Sequence, residues 1–117
     1  MSESWHQVSK ETEFPADGKL SAKAGEWQAL IVREGDEYFA YNDCCTHQAA
    51  ALSGGRVRRG TIMCPLHGAR FEVKSGRCVG GAYPALKSFA VRISDGMIEV
   101  GVPETPPGQG EKPTLTS

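Results

Sequence analysis

Histidine is scarce in this chain, and its scarcity limits the chemistry that the protein can carry out. The 117 residues include three histidines, His6, His47 and His67. No apolar run approaches the ~20 residues that a helix needs to cross a bilayer. The net charge is −1, so no excess of positive charge points to nucleic acid or to an anionic membrane surface. We expect one soluble globular domain with neither a nucleic-acid nor a membrane partner.

The amino-terminal sequence also lacks the features of an export signal. Residues 1–7 contain no cationic region, apolar run or twin arginine. We therefore expect a cytoplasmic protein, in which thiols stay reduced and cysteines serve as metal ligands more often than as disulfides. The four cysteines are Cys44, Cys45, Cys64 and Cys78.

Short strand patterns dominate the sequence, and no long helical pattern is present. Strands are predicted at residues 4–9, 19–23, 27–33, 37–42, 60–63, 69–73, 89–93 and 98–102. Alternating apolar residues around a Gly-containing turn make the last two a clear hairpin. Residues 49–52 are compatible with one helical turn. The predicted class is all-β, an antiparallel sandwich or small barrel.

The carboxyl-terminal segment has a different composition. Residues 103–117 contain four prolines and almost no apolar side chains. A segment of this kind buries too little apolar surface to offset the entropy of ordering. We expect it to be disordered and to follow a single folded domain at residues 1–102.

Two short stretches carry the candidate metal ligands. They are Cys45-Thr46-His47 and Cys64-Pro65-Leu66-His67, with sixteen residues between them. Thiolates select zinc, copper or iron–sulfur chemistry, and imidazole suits zinc or iron. A structural zinc site used for protein binding is one interpretation, but such sites usually pair Cys with Cys and His with His. One Cys and one His in each loop favour a centre with two metals, and zinc stays open as an alternative.

These stretches resemble the Rieske signature, C-T-H followed by C-P-x-H-G-x-x-F. The match includes residues 42–47 and 64–71, and the turns at 52–55 and 75–76 agree with it. The resemblance implies a Rieske-type antiparallel fold with a cluster-binding part at about residues 43–87. It also implies one [2Fe–2S] cluster, in which two thiolates bind one iron and two imidazoles the other. The implied ligands are Cys45, His47, Cys64 and His67.

Cys44 competes with Cys45 for the first ligand position. If Cys44 were the ligand, both loops would have the spacing C-x-x-H. The Rieske pattern has C-x-H in the first loop, which selects Cys45. Cys44 and Cys78 are then spare thiols.

Three departures from the high-potential Rieske proteins imply a low-potential centre. Those proteins have a disulfide beside the cluster, and this chain has Ala50 and Leu66 at the matching positions. They also have a serine hydroxyl directed at a cluster sulfur, where this chain has Ala69. Fewer hydrogen bonds to the sulfurs imply a potential at the low end of the Rieske range, at about −150 mV.

The resemblance is greatest to the Rieske ferredoxins of bacterial aromatic-ring-hydroxylating dioxygenase systems. It implies an electron carrier that accepts single electrons from a flavin-dependent NAD(P)H reductase and passes them to a terminal Rieske oxygenase. The oxygenase reaction needs a further iron held by two histidines and a carboxylate. Only His6 remains outside the predicted cluster, so we expect no enzyme activity. An alternative is the small Rieske-like subunit of an assimilatory nitrite reductase.

The charges of the chain are unevenly distributed. Residues 43–87 contain seven basic and two acidic residues, which gives +5, and the rest of the chain carries −6. We expect the basic cluster end, including Arg56, Arg58 and Arg59, to dock against acidic partner surfaces. Pro84 matches the proline-containing loop that lies over the cluster in the family.

Overall fold

The structure, a computed structural model, describes residues 3–46, 51–65, 68–80 and 83–108. Strands make up most of this part of the chain, together with two 3₁₀ turns at Glu11–Glu13 and Leu52–Gly54. The strands are β1 (Glu3–Lys10), β2 (Lys19–Ala24), β3 (Trp27–Glu34), β4 (Glu37–Asn42), β5 (Arg56–Arg58), β6 (Thr61–Met63), β7 (Arg70–Glu72), β8 (Ser88–Ser94) and β9 (Met97–Pro103).

The strands form two antiparallel sheets. The large sheet has the order β1-β9-β8-β4-β3-β2, and its two outer strands approach each other, so that it is nearly a closed barrel. The small sheet has the order β5-β6-β7 and lies between β4 and β8 in the sequence. The all-β prediction and the expected small barrel are therefore confirmed.

Strand β3 is buried on both faces and separates two apolar cores. Ala29 and Ile31 point into the barrel, where they pack with β8 and β9 residues such as Phe89 and Val100. Leu30 and Val32 belong to the second core, which includes Ile62 and Phe71 of the small sheet. Because successive side chains of a strand face opposite sides, the run from residue 29 to 32 must be apolar throughout. This second core attaches the small sheet to the barrel.

A tight hairpin joins β5 to β6. Arg58 pairs with Thr61, and the two residues between them, Arg59 and Gly60, have φ values of 51° and 77°. Two successive residues with positive φ are typical of a type I′ turn, whose twist matches that of paired strands. The hairpin therefore holds several arginines close together on the small sheet.

The predicted strands agree with the structure in place and type, with two differences. Strand β5 was not predicted, because Arg-Val-Arg is short, mostly charged and placed between glycines. The helical turn expected at residues 49–52 is a 3₁₀ turn at Leu52–Gly54, and residues 49 and 50 lie outside the described part.

The first residues of the proline-rich segment pack against the barrel. Pro103 belongs to β9, and the Trp27 indole N–H donates to the Thr105 carbonyl at 3.0 Å. Pro107 is buried. These contacts lie at the start of the segment that we expect to be disordered, and residues 109–117 lie outside the described part. Among the described residues, no helix has the length and apolar character needed to cross a membrane.

Candidate metal centre

The first ligand loop leaves the end of β4 and is held to the barrel by its backbone. The Asn42 N–H donates to the Lys87 carbonyl at 2.8 Å, and the Asp43 N–H donates to the Gln28 carbonyl at 2.8 Å. These bonds fix the chain immediately before Cys45, whose side chain is 2% exposed. The start of the loop is therefore held by β3 and by the residue that precedes β8.

The second ligand loop follows β6 and closes on itself. The Cys64 N–H donates to the Ala69 carbonyl at 2.7 Å, and the Gly68 N–H donates to the Cys64 carbonyl at 3.1 Å. Cys64 is 1% exposed. The loop is thus a tight turn between β6 and β7, with its thiol directed inward.

The structure brings the two predicted thiol ligands into one apolar core. Cys45 and Cys64 both belong to the core between the small sheet and β3, and Cys78 packs at its edge. Cys44 is buried but belongs to neither apolar core. All four cysteines are described, and all are thiols rather than disulfides.

Two of the four predicted ligands can be located. His47 and His67 lie outside the described residues, as do Ala50 and Leu66. In the ranges that the structure does describe, no three His, Cys, Asp or Glu side chains meet at one point. Two buried thiols from neighbouring loops are the donor set that one iron of a cluster needs from protein, so the described residues fit the group.

Asp43 holds the base of the first loop and was missed as a structural residue. Its carboxylate is 1% exposed and accepts three hydrogen bonds, at 2.7 to 2.8 Å, from the Ser21 hydroxyl and from the hydroxyl and backbone N–H of Ser53. The Lys19 ammonium donates to the Ser53 carbonyl at 2.8 Å. From the sequence we counted Asp43 among the charges of the cluster end. The structure shows a buried clamp between β2, the first loop and the 3₁₀ turn at Leu52–Gly54.

We expect Asp43→Asn to lower the free energy of unfolding by about 1–3 kcal/mol, because a neutral amide replaces a carboxylate that accepts three hydrogen bonds. An amide also turns an N–H₂ donor towards those donors. The matched control is Asp36→Asn, which changes an exposed turn residue between β3 and β4. Urea unfolding followed by circular dichroism measures both variants, and equal midpoints would show that the clamp contributes nothing.

Tyr41 holds the turn that follows β7. Its hydroxyl donates to the Val73 carbonyl at 2.6 Å. A Cβ at Gly76, whose φ is +77°, would lie 2.7 Å from the Tyr41 ring, so the ring and the turn after β7 fit together only with glycine there. Burial, with a smaller effect of the Glu72 charge, raises the pKa of Tyr41 above its ordinary value. The phenol therefore stays protonated and keeps donating at neutral and mildly alkaline pH.

A hydrogen bond connects the first ligand loop to the proline-containing loop. The Thr46 hydroxyl donates to the Pro84 carbonyl at 2.6 Å. Thr46 stands between the predicted ligands Cys45 and His47, so this bond ties residue 84 directly to the candidate centre. This contact supports the expectation that residues around Pro84 cover the site.

Four arginines line one groove on the outer face of the small sheet. The groove has a volume of about 470 Å³ and is lined by Arg56, Arg58, Arg59, Thr61, Met63 and Arg70. We call it the arginine groove. The only side-chain ion pairs in the described ranges are Lys19 with Asp17 and Arg92 with Glu99. The four groove arginines thus have no described carboxylate partner.

The other basic residues of the cluster end do not share this groove. The Lys87 ammonium lies over the Trp27 ring, 5.5 Å from its centroid. Lys74 and Arg77 are exposed near the turn after β7. The positive charge predicted for residues 43–87 is therefore concentrated at the small sheet.

A comparison with known protein families identifies the domain. Residues 4–93 match the model of the Rieske [2Fe-2S] domain. The chain belongs to this family. Membership confirms the prediction of one [2Fe–2S] cluster over the zinc site that the bare spacing left open. It also confirms the fold prediction.

Curated relatives of similar length are ferredoxins. The anthranilate 1,2-dioxygenase ferredoxin subunit of Burkholderia cepacia is 36% identical over 100 residues, which are 84% of this chain and 92% of that protein. The ferredoxin component of the alkene monooxygenase system of Xanthobacter autotrophicus is 30% identical, over 81% of this chain and 79% of that one.

Solved structures show the same fold. A complex of reduced oxygenase and oxidised ferredoxin in carbazole 1,9a-dioxygenase contains a chain that superposes with a TM-score of 0.74 at 25% identity, covering 96% of this chain and 97% of that one. The ferredoxin of carbazole 1,9a-dioxygenase from Nocardioides aromaticivorans IC177 superposes with a TM-score of 0.77 at 22% identity, covering 86% and 99%. The second likeness shows the fold alone.

Proposed function

We propose that this protein is a Rieske ferredoxin that carries single electrons from a flavin-dependent NAD(P)H reductase to a terminal ring-hydroxylating oxygenase. The observation that carries the proposal is the pair of buried thiols, Cys45 and Cys64, on two neighbouring loops of a Rieske domain. Relatives of similar length named as ferredoxins of oxygenase systems support it. Because the donor of the reductase is a nicotinamide cofactor, we place the protein in the cytoplasm.

The proposed ligands are Cys45 and Cys64 on one iron and His47 and His67 on the other. A bound [2Fe–2S] cluster supplies reversible one-electron transfer. This chain's contribution is to bury the two thiols and to fix the loop ends through Asp43, Cys64 and Ala69. Rigid loop ends keep the structural change between oxidation states small, which favours fast electron exchange.

The proposed role is that of a carrier and not of a catalyst. The oxygenase reaction needs an additional iron held by two histidines and a carboxylate. If His47 and His67 serve the cluster, His6 is the remaining histidine in the sequence. His6 lies on β1, an outer strand of the large sheet. No second iron site of that composition can therefore be built from this chain.

Three measurements on the purified holoprotein test the proposed function. The reduced protein should give the rhombic EPR signal of a Rieske centre, and its potential should be near the low end of the family range, at about −150 mV. Mixed with a ferredoxin-dependent reductase, NADH and a ring-hydroxylating oxygenase, it should support product formation that stops when it is omitted. A colourless protein with one bound zinc, or a cluster protein that supports no turnover with any such pair, would contradict the proposal.

The arginine-rich hairpin should steer the ferredoxin towards acidic partners. We expect the double variant Arg58→Glu with Arg59→Glu to associate with the reductase and with the oxygenase about tenfold or more slowly at low ionic strength. Adding salt should reduce this difference because screening weakens long-range attraction. Stopped-flow electron transfer at several salt concentrations measures it. Lys10→Glu with Lys23→Glu is the control, because it changes the net charge equally on β1 and β2; equal slowing by both pairs would exclude local steering.

A further inference from the structure

The small sheet presents a row of side chains in which arginine and apolar residues alternate. Arg56 of β5 pairs with Met63 of β6, and Met63 pairs with Arg70 of β7. Phe71 bridges to Cys78, and the Val79 N–H donates to the Arg70 carbonyl at 2.8 Å, which places Val79 beside Arg70. Residues directly opposite each other in paired strands lie on the same face. We call Arg56, Met63, Arg70 and Val79 the docking row.

The docking row faces outward and exposes apolar surface. The sequence neighbours of three of its members pack into the core on the opposite face of the sheet; they are Val57, Ile62 and Phe71. Met63 is 37% exposed and Val79 is 44% exposed. The described ranges contain one other exposed large apolar side chain, Ile93 on β8. Exposed apolar groups beside arginines without carboxylate partners are the composition of a protein interface, where Met and Arg are enriched.

The docking row is continuous with the second ligand loop. Met63 immediately precedes Cys64, and Arg70 immediately follows Ala69, whose carbonyl accepts the Cys64 N–H. A Cβ at Gly68 would lie 3.8 Å from the Met63 sulfur, so this thioether lies beside the loop. A protein seated on the row would therefore lie against the loop that carries Cys64.

The geometry points to a specific binding surface for the terminal oxygenase: the docking row receives an acidic, partly apolar patch of that protein. This inference rests on the proposed function and adds to it the residues that make close contact. The complex of oxygenase and ferredoxin in carbazole 1,9a-dioxygenase favours the oxygenase as the occupant. Charge complementarity requires an acidic patch on it, because Arg56 and Arg70 in the arginine groove can each take a carboxylate in a bidentate pair. Met63 and Val79 supply the apolar contact between those pairs. The hairpin arginines, Arg58 and Arg59, act mainly on the encounter, and the row acts on the bound complex.

Binding measurements with two kinds of variant test the inference. Arg56→Gln with Arg70→Gln removes charge without reversing it, and Met63→Gln removes apolar character at similar length. Arg77→Gln and Ile93→Gln are the matched controls, since they change an exposed arginine outside the groove and the other exposed apolar side chain. The probe is the oxidised holo-ferredoxin titrated by calorimetry into the terminal oxygenase that it reduces.

We expect the double arginine variant to weaken binding about tenfold or more and Met63→Gln about threefold or more, with both controls unchanged. EPR and the reduction potential of each variant should match the unmodified protein, which would show that the cluster is intact. Unchanged affinity in the row variants would overturn the inference, as would an effect confined to the reductase step. Loss of electron transfer by the unmodified protein would instead refute the proposed function.

Discussion

Cys45→Ser is expected to lose the cluster, and Cys44→Ser is expected to keep it. Iron in such clusters is bound by soft thiolate sulfur, for which a serine oxygen is a poor replacement. Cys44 and Cys45 are both buried. Cys45 belongs to the same apolar core as Cys64, whereas Cys44 lies outside both apolar cores. Iron content, visible absorption and the reduced-state EPR signal measure the outcome. The loss should be nearly complete, because one missing ligand leaves an iron without a full protein donor set.

Two further variants, Cys78→Ser and Cys64→Ser, complete the experiment. Cys78→Ser is the second control, since Cys78 packs at the edge of the same core and its loss should leave the cluster in place. Cys64→Ser should behave as Cys45→Ser does. Retention of the cluster in Cys45→Ser together with its loss in Cys44→Ser would move the first ligand by one residue and give both loops the spacing C-x-x-H.

Loss of the cluster should also lower the stability of the small sheet. A metal group bound only by the folded state stabilises that state by its binding free energy. Both ligand thiols lie in the core that attaches the small sheet, whereas the barrel has its own core around Ile31, Phe89 and Val100. Hydrogen exchange in Cys45→Ser should therefore increase first in β5, β6 and β7, with β8 and β9 still protected.

The barrel strands could be predicted because their local pattern and their final environment agree. In β8 and β9, alternate residues face the core, so the two-residue period is visible in the sequence. In β3, both faces are covered, and a continuous apolar run gave the strand without revealing that it separates two cores. The sequence thus predicted the strand but not the second core that it contacts.

The parts that sequence reasoning missed depend on contacts between distant residues. Asp43 looks like any surface carboxylate, and only the approach of Ser21 and Ser53 makes it a buried clamp. The packing of Thr105 against Trp27 likewise joins residues far apart in the chain, inside a segment whose composition predicts disorder. Neither a charge nor a proline carries information about such partners. The ligand motif could be predicted because its spacing is local, and the supports of the ligands could not.

The docking row illustrates the same limit at the surface. Arg56, Met63, Arg70 and Val79 have no regular spacing in the sequence, and strand β5, which carries the first of them, was not predicted. The register of β5, β6 and β7 brings them into one line. The sequence indicated only that this part of the chain is basic. The sheet register shows two groups of arginines, one at the hairpin and one beside exposed apolar side chains.

Gly55→Ala should be the most damaging single-methyl change in the described chain. A Cβ at Gly55 would overlap the Met63 carbonyl oxygen and lie 2.9 Å from its carbon. Both are backbone atoms, so no side-chain rotation can relieve the contact. Because Arg56 pairs with Met63, β5 and β6 would have to separate at the end of β6, next to Cys64. Overpacking of this kind costs about 3 kcal/mol, or roughly 15 °C in the midpoint of thermal unfolding for a domain of this size.

The neighbouring glycine provides the matched control. A Cβ at Gly54 would meet only the Pro65 ring, at the ordinary contact distance of 3.6 Å, so Gly54→Ala should change the midpoint little. The same methyl group added one residue away thus separates a steric effect from the entropy that glycine loses on folding. Thermal unfolding of both holoproteins, with iron content measured alongside, gives the comparison. Equal midpoints would mean that the β5–β6 hairpin can shift away from Met63, and the placement of Cys64 would then not depend on this close approach.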